Sequence, residues 1–161
     1  MKKFLVIGNP IDHSMSPTIH NYWFKKNSIN AVYDKKLTKN NEIEKIIQKI
    51  RDKQLQGINV TVPFKSSVLP FIDKLTNEAE KTKSVNTISL DGKSVVGHNT
   101  DVAGFELAIR HRKFDVSKKE ILIIGAGGVV PSIIFSLKRM KTKKIYIMNR
   151  TKENADNIKK K

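Results

Sequence analysis

Short apolar runs alternate with stretches of helical periodicity along this chain, and that alternation limits its fold more than any other feature. The clearest run is Ile121–Ile124, which leads directly into a glycine turn. Residues 41–53 instead carry isoleucines spaced i, i+3, i+4 and i+7, the pattern of an amphipathic helix. Strands that alternate with helices form sheets covered by helices. The sequence therefore predicts an α/β fold.

The same patterns, with the turn residues between them, predict the individual elements. Strands are expected at residues 4–7, 31–33, 57–62, 120–124 and 144–148, with a hairpin over residues 85–97. Helices are expected over residues 16–26, 41–53 and 101–113, from the glycine turn to about Met140, and from Lys65 and Thr151 onward. Ser16 followed by Pro17 is typical of a helix cap and first helical residue.

The composition excludes several classes of protein. The 161 residues contain no cysteine, which excludes a disulfide scaffold and thiol chemistry and fits a reducing cytoplasm. The longest apolar runs, Phe4–Ile7 and Ile121–Ile124, are far shorter than the roughly 20 residues of a membrane span. We therefore expect a cytoplasmic protein without a membrane segment. No metal site is expected.

The net charge of +16, from 31 basic and 15 acidic residues, would suit a nucleic-acid partner. The lysines are scattered, however, in pairs such as Lys25-Lys26 and Lys118-Lys119, without the interleaved aromatic residues of a base-stacking surface. We therefore expect no specific nucleic-acid partner. A positive field would still attract a small anionic substrate or a phosphate-rich cofactor.

The glycine turn at residues 125–128 joins a strand to a helix, as in dinucleotide-binding folds. Glycines allow a tight turn and a close approach of backbone N–H groups to a pyrophosphate, and the helix N-terminus adds partial positive charge. Gly125 and Gly127 match the first two glycines of the dinucleotide pattern, and Val130 stands at the third. The alternative is a plain strand-to-helix connection without a ligand.

The end of the following strand indicates which dinucleotide would bind. Sites specific for NAD carry an acidic residue there, which binds the ribose 2′-hydroxyl. This chain has Asn149-Arg150-Thr151 instead, and an arginine can bind a 2′-phosphate through two hydrogen bonds. NADP is therefore favoured over NAD. The alternative role of Arg150 is a solvated surface charge.

Polar residues cluster after four of the predicted strands or loops. The segments are His13–Pro17, Asn59–Lys65, Val85–Thr87 and His98–Asp101. The carboxyl ends of strands in an open α/β sheet gather at one edge, where ligands bind. The hydroxyl, amide, ammonium and carboxylate groups of this set suit a polyhydroxylated small molecule. Taken singly, most of these residues also suit caps and turns.

Together these segments resemble the shikimate dehydrogenase family. Residues 8–17, with His20-Asn21 after them, are similar to the opening signature of the family. Its further signatures follow in the family's order and spacing at residues 57–65, 85–87, 99–101, 125–128 and 149–151. The resemblance extends over the whole chain.

The resemblance implies an NADP-dependent enzyme that reduces 3-dehydroshikimate to shikimate in aromatic amino-acid (chorismate) biosynthesis. It also implies an open, mostly parallel-sheet substrate domain over residues 1–103, followed by the first β-α-β unit of a Rossmann NADP-binding domain over residues 104–161. A monomer or a homodimer is expected. The alternatives are a dehydrogenase that also accepts quinate and a shikimate-binding module without catalysis.

Site residues carry over from the family position by position. Six residues would hold the substrate: Ser14, Ser16, Thr61, Lys65, Asn86 and Asp101. Nine would hold NADP: Gly125, Ala126, Gly127, Gly128, Val129, Val130, Asn149, Arg150 and Thr151. Lys65 would be the catalytic proton donor and acceptor, with Asp101 beside it. Hydride transfer to a ketone leaves an alkoxide that needs a proton, and Lys65 is expected at a helix start, where the helix dipole acts on its ammonium group.

The chain departs from the family pattern at several positions. Val129-Val130-Pro131 replaces the small residues usual after the glycine turn, Asn154 stands in place of a second basic residue, and Asn77 in place of an acidic one. The family also continues well beyond the position of Lys161. We therefore expect this chain to bind shikimate but to oxidise little NADPH, with the apolar sides of its last two strands exposed.

Overall fold

The structure is a computed structural model that describes residues 1–159. By its internal contacts the chain divides into two compact units. The first unit comprises residues 1–76 and 85–98, and the second comprises residues 77–84 with the described residues from 99 onward. The short segment 77–84 thus belongs with the C-terminal part of the chain, from which it is distant in sequence.

The first unit is built on a six-stranded sheet. Its strands are β1 (Lys2–Gly8), β2 (Ala31–Leu37), β3 (Gly57–Val60), β4 (Lys74–Leu75), β5 (Thr87–Asp91) and β6 (Ser94–His98). Their order across the sheet is β2-β1-β3-β5-β6-β4. The β1–β2, β1–β3 and β4–β6 pairs are parallel, whereas β3–β5 and β5–β6 are antiparallel. The predicted mostly parallel sheet is therefore confirmed.

Both faces of β1 are covered. Val6 is buried in a cluster with Ile11 and Tyr33, against which Phe4 and Phe24 pack. Ile7, the next residue along the strand, is fully buried as well. Because successive side chains of a strand point to opposite faces, this burial shows that the sheet is covered on both sides at β1.

Two helices belong to the first unit, α1 (Ser16–Lys26) and α2 (Ile43–Arg51). The predicted apolar face of α2 is confirmed, because its four isoleucines are all buried. The prediction of Ser16 as a helix cap is wrong: Met15 occupies the cap position and Ser16 begins the helix. Pro17 therefore stands second, a place where proline is tolerated because the N–H it lacks would have no partner within the helix.

The prediction of a helix from Lys65 onward is also wrong. Residues 62–68 form consecutive turns, followed by a short 3₁₀ segment over Leu69–Phe71. Pro63 and Pro70 bracket this stretch. A proline inside an α-helix removes one hydrogen bond and clashes with the preceding turn, and it also disfavours helical geometry at the residue before it. The dipole of an α-helix start is therefore missing at Lys65.

The second unit contains the predicted β-α-β unit and, among the described residues, three further helices. Its elements are α3 (Asn77–Thr82), α4 (Asp101–His111), β7 (Glu120–Ile124), α5 (Val130–Arg139), β8 (Lys144–Met148) and α6 (Lys152–Lys159). Strands β7 and β8 pair in parallel, from Glu120 opposite Lys144 to Ile124 opposite Met148. The boundary predicted after residue 103 falls inside α4, whereas by internal contacts the chain changes unit between residues 98 and 99.

One face of the β7–β8 pair forms the core of the second unit, and its other face is exposed. Ile123 is buried with Val130 and Leu137 of α5. On the opposite face, Ile124 is 75% exposed and Met148 is 54% exposed. Among residues 1–159, no helix has the length and apolar character needed to cross a membrane.

An ion pair joins α2 to the sheet of the first unit. Arg51 donates to the Asp73 carboxylate through both terminal nitrogens, with Nη2 lying 2.9 Å from Oδ1. The same carboxylate accepts the Val95 N–H of β6 at 2.7 Å. These donors, Arg51 above all, lower the pKa of Asp73 to about 2.

This depressed pKa predicts an acid-dependent loss of stability. The folded-state pKa of Asp73 lies below its unfolded value of roughly 4, so its contribution is present above that value and is lost as pH falls toward about 2. Asp73→Asn should lower the urea midpoint modestly at pH 7, because the carboxylate is partly exposed. The difference from wild type should disappear between about pH 4 and pH 2. Urea unfolding followed by circular dichroism at several pH values measures this difference. A difference in midpoint that is the same at every pH would contradict the assignment.

Candidate functional site

The topology of the first unit brings three chain segments to one edge of its sheet. Strands β1 and β3 are parallel, so the residues after Gly8 and after Val60 emerge at the same edge. Strand β5 runs antiparallel to β3, with Thr87 opposite Asn59, so β5 begins at this edge. Residues 14–16, 61, 65 and 86 therefore lie around a single edge, as the sequence predicted for polar ends of strands.

The two serines lie where the chain leaves β1 and enters α1. Ser14 and Ser16 are both half-buried, and the Ser16 N–H is 3.4 Å from Ser14 Oγ, which is close to the limit for a hydrogen bond. Ser14 is itself held by its N–H, which donates to the Ile11 carbonyl at 3.0 Å. Both hydroxyls are thus set in a short, hydrogen-bonded loop.

Tyr33, which the sequence analysis did not single out as a site residue, lies next to Ser16. Burial raises the pKa of Tyr33 to about 12, and a hydrogen bond with the Ser16 side chain acts in the opposite direction. The ring of His20 stacks on that of Tyr33 at 4.2 Å between centroids, and burial lowers the pKa of His20. The side chain of Asn21 bonds both the N–H and the carbonyl of Tyr33.

A chain of hydrogen bonds continues from Tyr33 to Asn86. The Tyr33 hydroxyl donates to Asn59 Oδ1 at 2.6 Å. The Asn59 Nδ2 donates to the Asn86 carbonyl at 3.2 Å and to Thr87 Oγ1 at 3.0 Å. Thr87 Oγ1 in turn donates to Asn86 Oδ1 at 3.2 Å. Ser16 and Asn86, far apart in sequence, are thereby joined through side chains of three other residues.

Thr61 and Lys65 are tied to the same edge through their backbones. The Thr61 N–H donates to the Ile7 carbonyl of β1 at 3.0 Å. The Lys65 carbonyl accepts the Val85 N–H at 2.8 Å, which links it to the residue before Asn86. The structure therefore brings the five predicted substrate residues of the first unit to one region. Thr61 and Lys65 are both half-buried there.

Asp101, the sixth predicted substrate residue, belongs to the second unit and begins α4. A carboxylate in the first turn of a helix is stabilised by the positive end of the helix dipole. The Asp101 N–H donates to Asn99 Oδ1 at 3.0 Å, so a side chain just outside the helix holds its first residue.

The glycine turn of the second unit leaves part of its backbone open. Gly125 has φ +113°, which a residue with a side chain adopts only with strain, and its N–H donates to the Met148 carbonyl at 2.7 Å. A methyl group added to Gly127 or Gly128 would have no atom within 4 Å, so both backbones face open space. Helix α5 begins directly afterwards at Val130, whose own side chain is buried in the core.

The other predicted cofactor residues flank this turn or follow β8. Ala126 is half-buried and Val129 is exposed. Arg150 and Thr151 are exposed, and Asn149 Nδ2 donates to the Thr151 carbonyl at 2.7 Å, which closes a tight turn before α6. The Arg150 side chain is therefore accessible to a ligand at the end of β8.

Two models of known protein families match this chain. A model of the shikimate dehydrogenase substrate-binding domain matches residues 6–88, which is more than half of the chain. The chain belongs to the shikimate dehydrogenase family. A second family model, described as shikimate/quinate 5-dehydrogenase, matches residues 106–161.

Individual relatives agree with the family models. A shikimate dehydrogenase (NADP(+)) from Pelagibacter ubique is 51% identical over 159 residues, which are 99% of this chain and 60% of that protein. The crystal structure of shikimate dehydrogenase from Aquifex aeolicus matches with a TM-score of 0.91 at 33% identity, covering 99% of this chain and 60% of that one.

A shikimate 5-dehydrogenase from Thermus thermophilus, solved in complex with NADP(H) and shikimate, matches with a TM-score of 0.87 at 26% identity, again covering 99% and 60% of the two chains. This chain thus spans about three fifths of the length of the relatives it matches. The predicted family and α/β fold are both confirmed.

Proposed function

We propose that this chain performs the reaction of an NADP-dependent shikimate dehydrogenase, the reduction of 3-dehydroshikimate to shikimate in the cytoplasm. The single observation that carries the proposal is the polar edge of the first unit, where hydroxyl and amide side chains from three segments meet. Family membership supplies the substrate class. The protein would act as a monomer or homodimer, without a specific nucleic-acid partner.

We assign residues 1–103 to substrate binding and residues 104–161 to the start of NADP binding. Shikimate carries one carboxylate and several hydroxyl groups. Ser14 and Ser16 can donate hydrogen bonds to a carboxylate, and Thr61 and Asn86 can donate to and accept from hydroxyl groups. The network through Tyr33 and Asn59 supports this role, because it holds Ser16 and Asn86 in fixed orientations. The net charge of +16 favours an anionic substrate.

Lys65 is proposed to transfer the proton that the reaction requires. When NADPH is bound it supplies the hydride, and the oxygen of the reduced carbonyl then needs a proton and a nearby positive charge. Lys65 can provide both from its position after β3. Asp101 is proposed to hold a substrate hydroxyl. The turns at residues 62–68 replace the expected helix, so position rather than a helix dipole supports the role of Lys65.

The glycine turn and the end of β8 are proposed to bind NADP. The open turn at residues 126–129 and the N-terminus of α5 suit the pyrophosphate, with Gly125 shaping the turn and Val130 beginning the helix. Asn149, Arg150 and Thr151 suit the 2′-phosphate, with Arg150 as the charged partner.

Arg150→Ala tests which part of the cofactor this residue contacts. We expect the variant to bind NADP(H) about tenfold or more weakly, because a charge-assisted bidentate bond is lost, and to bind NAD(H) almost as well as wild type does. Fluorescence titration with both cofactors measures this selectivity. Lys152→Ala, which removes a neighbouring exposed cation, is the matched control. Equal losses for NADP(H) and NAD(H) would show that Arg150 does not contact the 2′-phosphate.

The activity itself is tested by following NADPH absorbance with 3-dehydroshikimate. This assay needs a protein that carries these residues and is as long as the relatives. Dependence of NADPH oxidation on 3-dehydroshikimate would support the proposal, and the reverse reaction with quinate in place of shikimate would measure the second specificity named by the family model. Shikimate binding without NADPH oxidation would instead support a binding module.

A further inference from the structure

One buried side chain, that of Asn99, holds the N-terminus of α4. Asn99 is only 6% exposed. Its Oδ1 accepts the Asp101 N–H at 3.0 Å, and its Nδ2 donates to Thr82 Oγ1 and to Ser132 Oγ, each at 2.8 Å. A single amide group therefore connects α3, α4 and α5 within the second unit.

The partners of Asn99 fix the orientation of its amide. Thr82 Oγ1 donates its own proton to the Glu78 carbonyl at 2.6 Å, so toward Asn99 it can only accept. The Asp101 N–H can only donate. The side-chain nitrogen of Asn99 must therefore face Thr82 and Ser132, and the oxygen must face α4. No other side-chain type of this size offers two donors and one acceptor in these directions.

We propose that Asn99 is a positioning residue for Asp101. The inference rests on the proposed function, in which the Asp101 carboxylate takes part in substrate binding and catalysis. The first N–H groups of a helix have no acceptor within the helix, so an external acceptor sets where the helix starts and how its first residue is oriented. Asn99 supplies that acceptor for Asp101.

The same amide fixes Asp101 relative to the proposed cofactor turn. Ser132 lies in the first turn of α5, directly after the glycine turn, and is fully buried. Its hydroxyl accepts from Asn99, so the starts of α4 and α5 are held at a defined separation. A buried polar group that loses its hydrogen-bond partner destabilises the fold, so this separation resists change.

Ser136→Ala provides a matched control. Ser136 is also fully buried and also joins α4 to α5, because its hydroxyl donates to the Val102 carbonyl at 3.2 Å. Within the part of the chain that the structure describes, its hydroxyl bonds the carbonyls of Val102 and Ser132 and neither Asp101 nor Asn99. Its loss should lower stability without moving Asp101.

Amide hydrogen exchange of the 161-residue chain tests the proposed geometry. In Asn99→Ala we expect the Asp101 amide to exchange about tenfold or more faster, relative to the protected amides of α5. Ser132→Ala is a milder change, because Asn99 Oδ1 remains as the acceptor of the Asp101 N–H, and it should increase the Asp101 exchange rate less. This variant keeps the test decisive if Asn99→Ala does not fold. Unchanged Asp101 exchange in the folded variants, or an equal increase in Ser136→Ala, would overturn the proposal.

Shikimate affinity, measured by calorimetry in a double-mutant cycle, tests the functional consequence. If Asn99 acts through Asp101, Asn99→Ala and Asp101→Asn should weaken binding by similar factors, and the double variant should be no weaker than either. Ser136→Ala should bind shikimate as wild type does. Additive losses would overturn the positioning role. A wild-type chain that fails to bind shikimate would contradict the proposed function, whereas the exchange rates would still decide whether Asn99 holds Asp101.

Discussion

Lys65→Ala should reduce kcat by about 10²–10⁴-fold in a protein that carries this chain at the length of its relatives. The reduction of a ketone requires a proton donor at the carbonyl oxygen, and removal of a positioned acid–base group typically has an effect of this size. The fold should persist, because Lys65 is only half-buried.

Two further variants separate the proton from the charge. Lys65→Arg keeps a positive charge, but a guanidinium cannot release a proton near neutral pH, so kcat should stay low. Lys45→Ala removes an exposed lysine from α2 and should leave kcat unchanged. A kcat of Lys65→Ala near that of wild type would show that Lys65 is not catalytic.

Gly8→Ala should weaken shikimate binding about tenfold or more and should destabilise the first unit by roughly 1–3 kcal/mol. A Cβ at Gly8, the last residue of β1, would lie 2.6 Å from Thr61 Cγ2 and 3.2 Å from the Val62 carbonyl oxygen. That oxygen also accepts the Asn9 N–H at 3.0 Å, so the backbone cannot easily move away. The Thr61 side chain must therefore move, and with it a hydroxyl proposed to bind substrate.

Gly104→Ala is the control for this substitution. Gly104 lies inside α4, and a Cβ there would have no atom within 4 Å. Alanine is a better helix former than glycine by about 1 kcal/mol, so this variant should be stabilised. Thermal unfolding and shikimate calorimetry on both variants measure the two effects. Wild-type affinity in Gly8→Ala would show that the position of Thr61 does not matter for binding.

The elements that could be predicted from the sequence are those with a strong local signal. The strand Glu120–Ile124 was predicted with its observed bounds because a lysine pair precedes it and glycines follow it. Helix α2 was predicted from its isoleucine spacing. The short elements β4 and α3 were missed, because two residues carry no period and the sequence of α3 is almost entirely polar. Contacts within the folded units hold both: β4 pairs with β6, and α3 packs on α5.

The same holds for the site: residues with a local sequence signal could be predicted, and residues whose role depends on contacts distant in sequence could not. Ser14 and Thr61 belong to polar segments that follow strands, and the resemblance to the family identified them within those segments. Tyr33 lies within a strand, and the sequence does not show that it reaches both Ser16 and Asn59. Asn99 was placed in a polar segment that also suits a turn, whereas its bonds to Thr82 and Ser132 cross large separations in sequence. Such bonds follow from topology, which a single sequence does not specify.

The central claim, that the polar edge of the first unit binds shikimate, is tested most directly by titrating shikimate into the purified 161-residue chain in a calorimeter. We expect saturable binding at one site per chain, weakened about tenfold or more when Ser14 and Ser16 are both replaced by alanine. A folded chain that shows only the heat of ligand dilution, or a double variant with wild-type affinity, would contradict the claim.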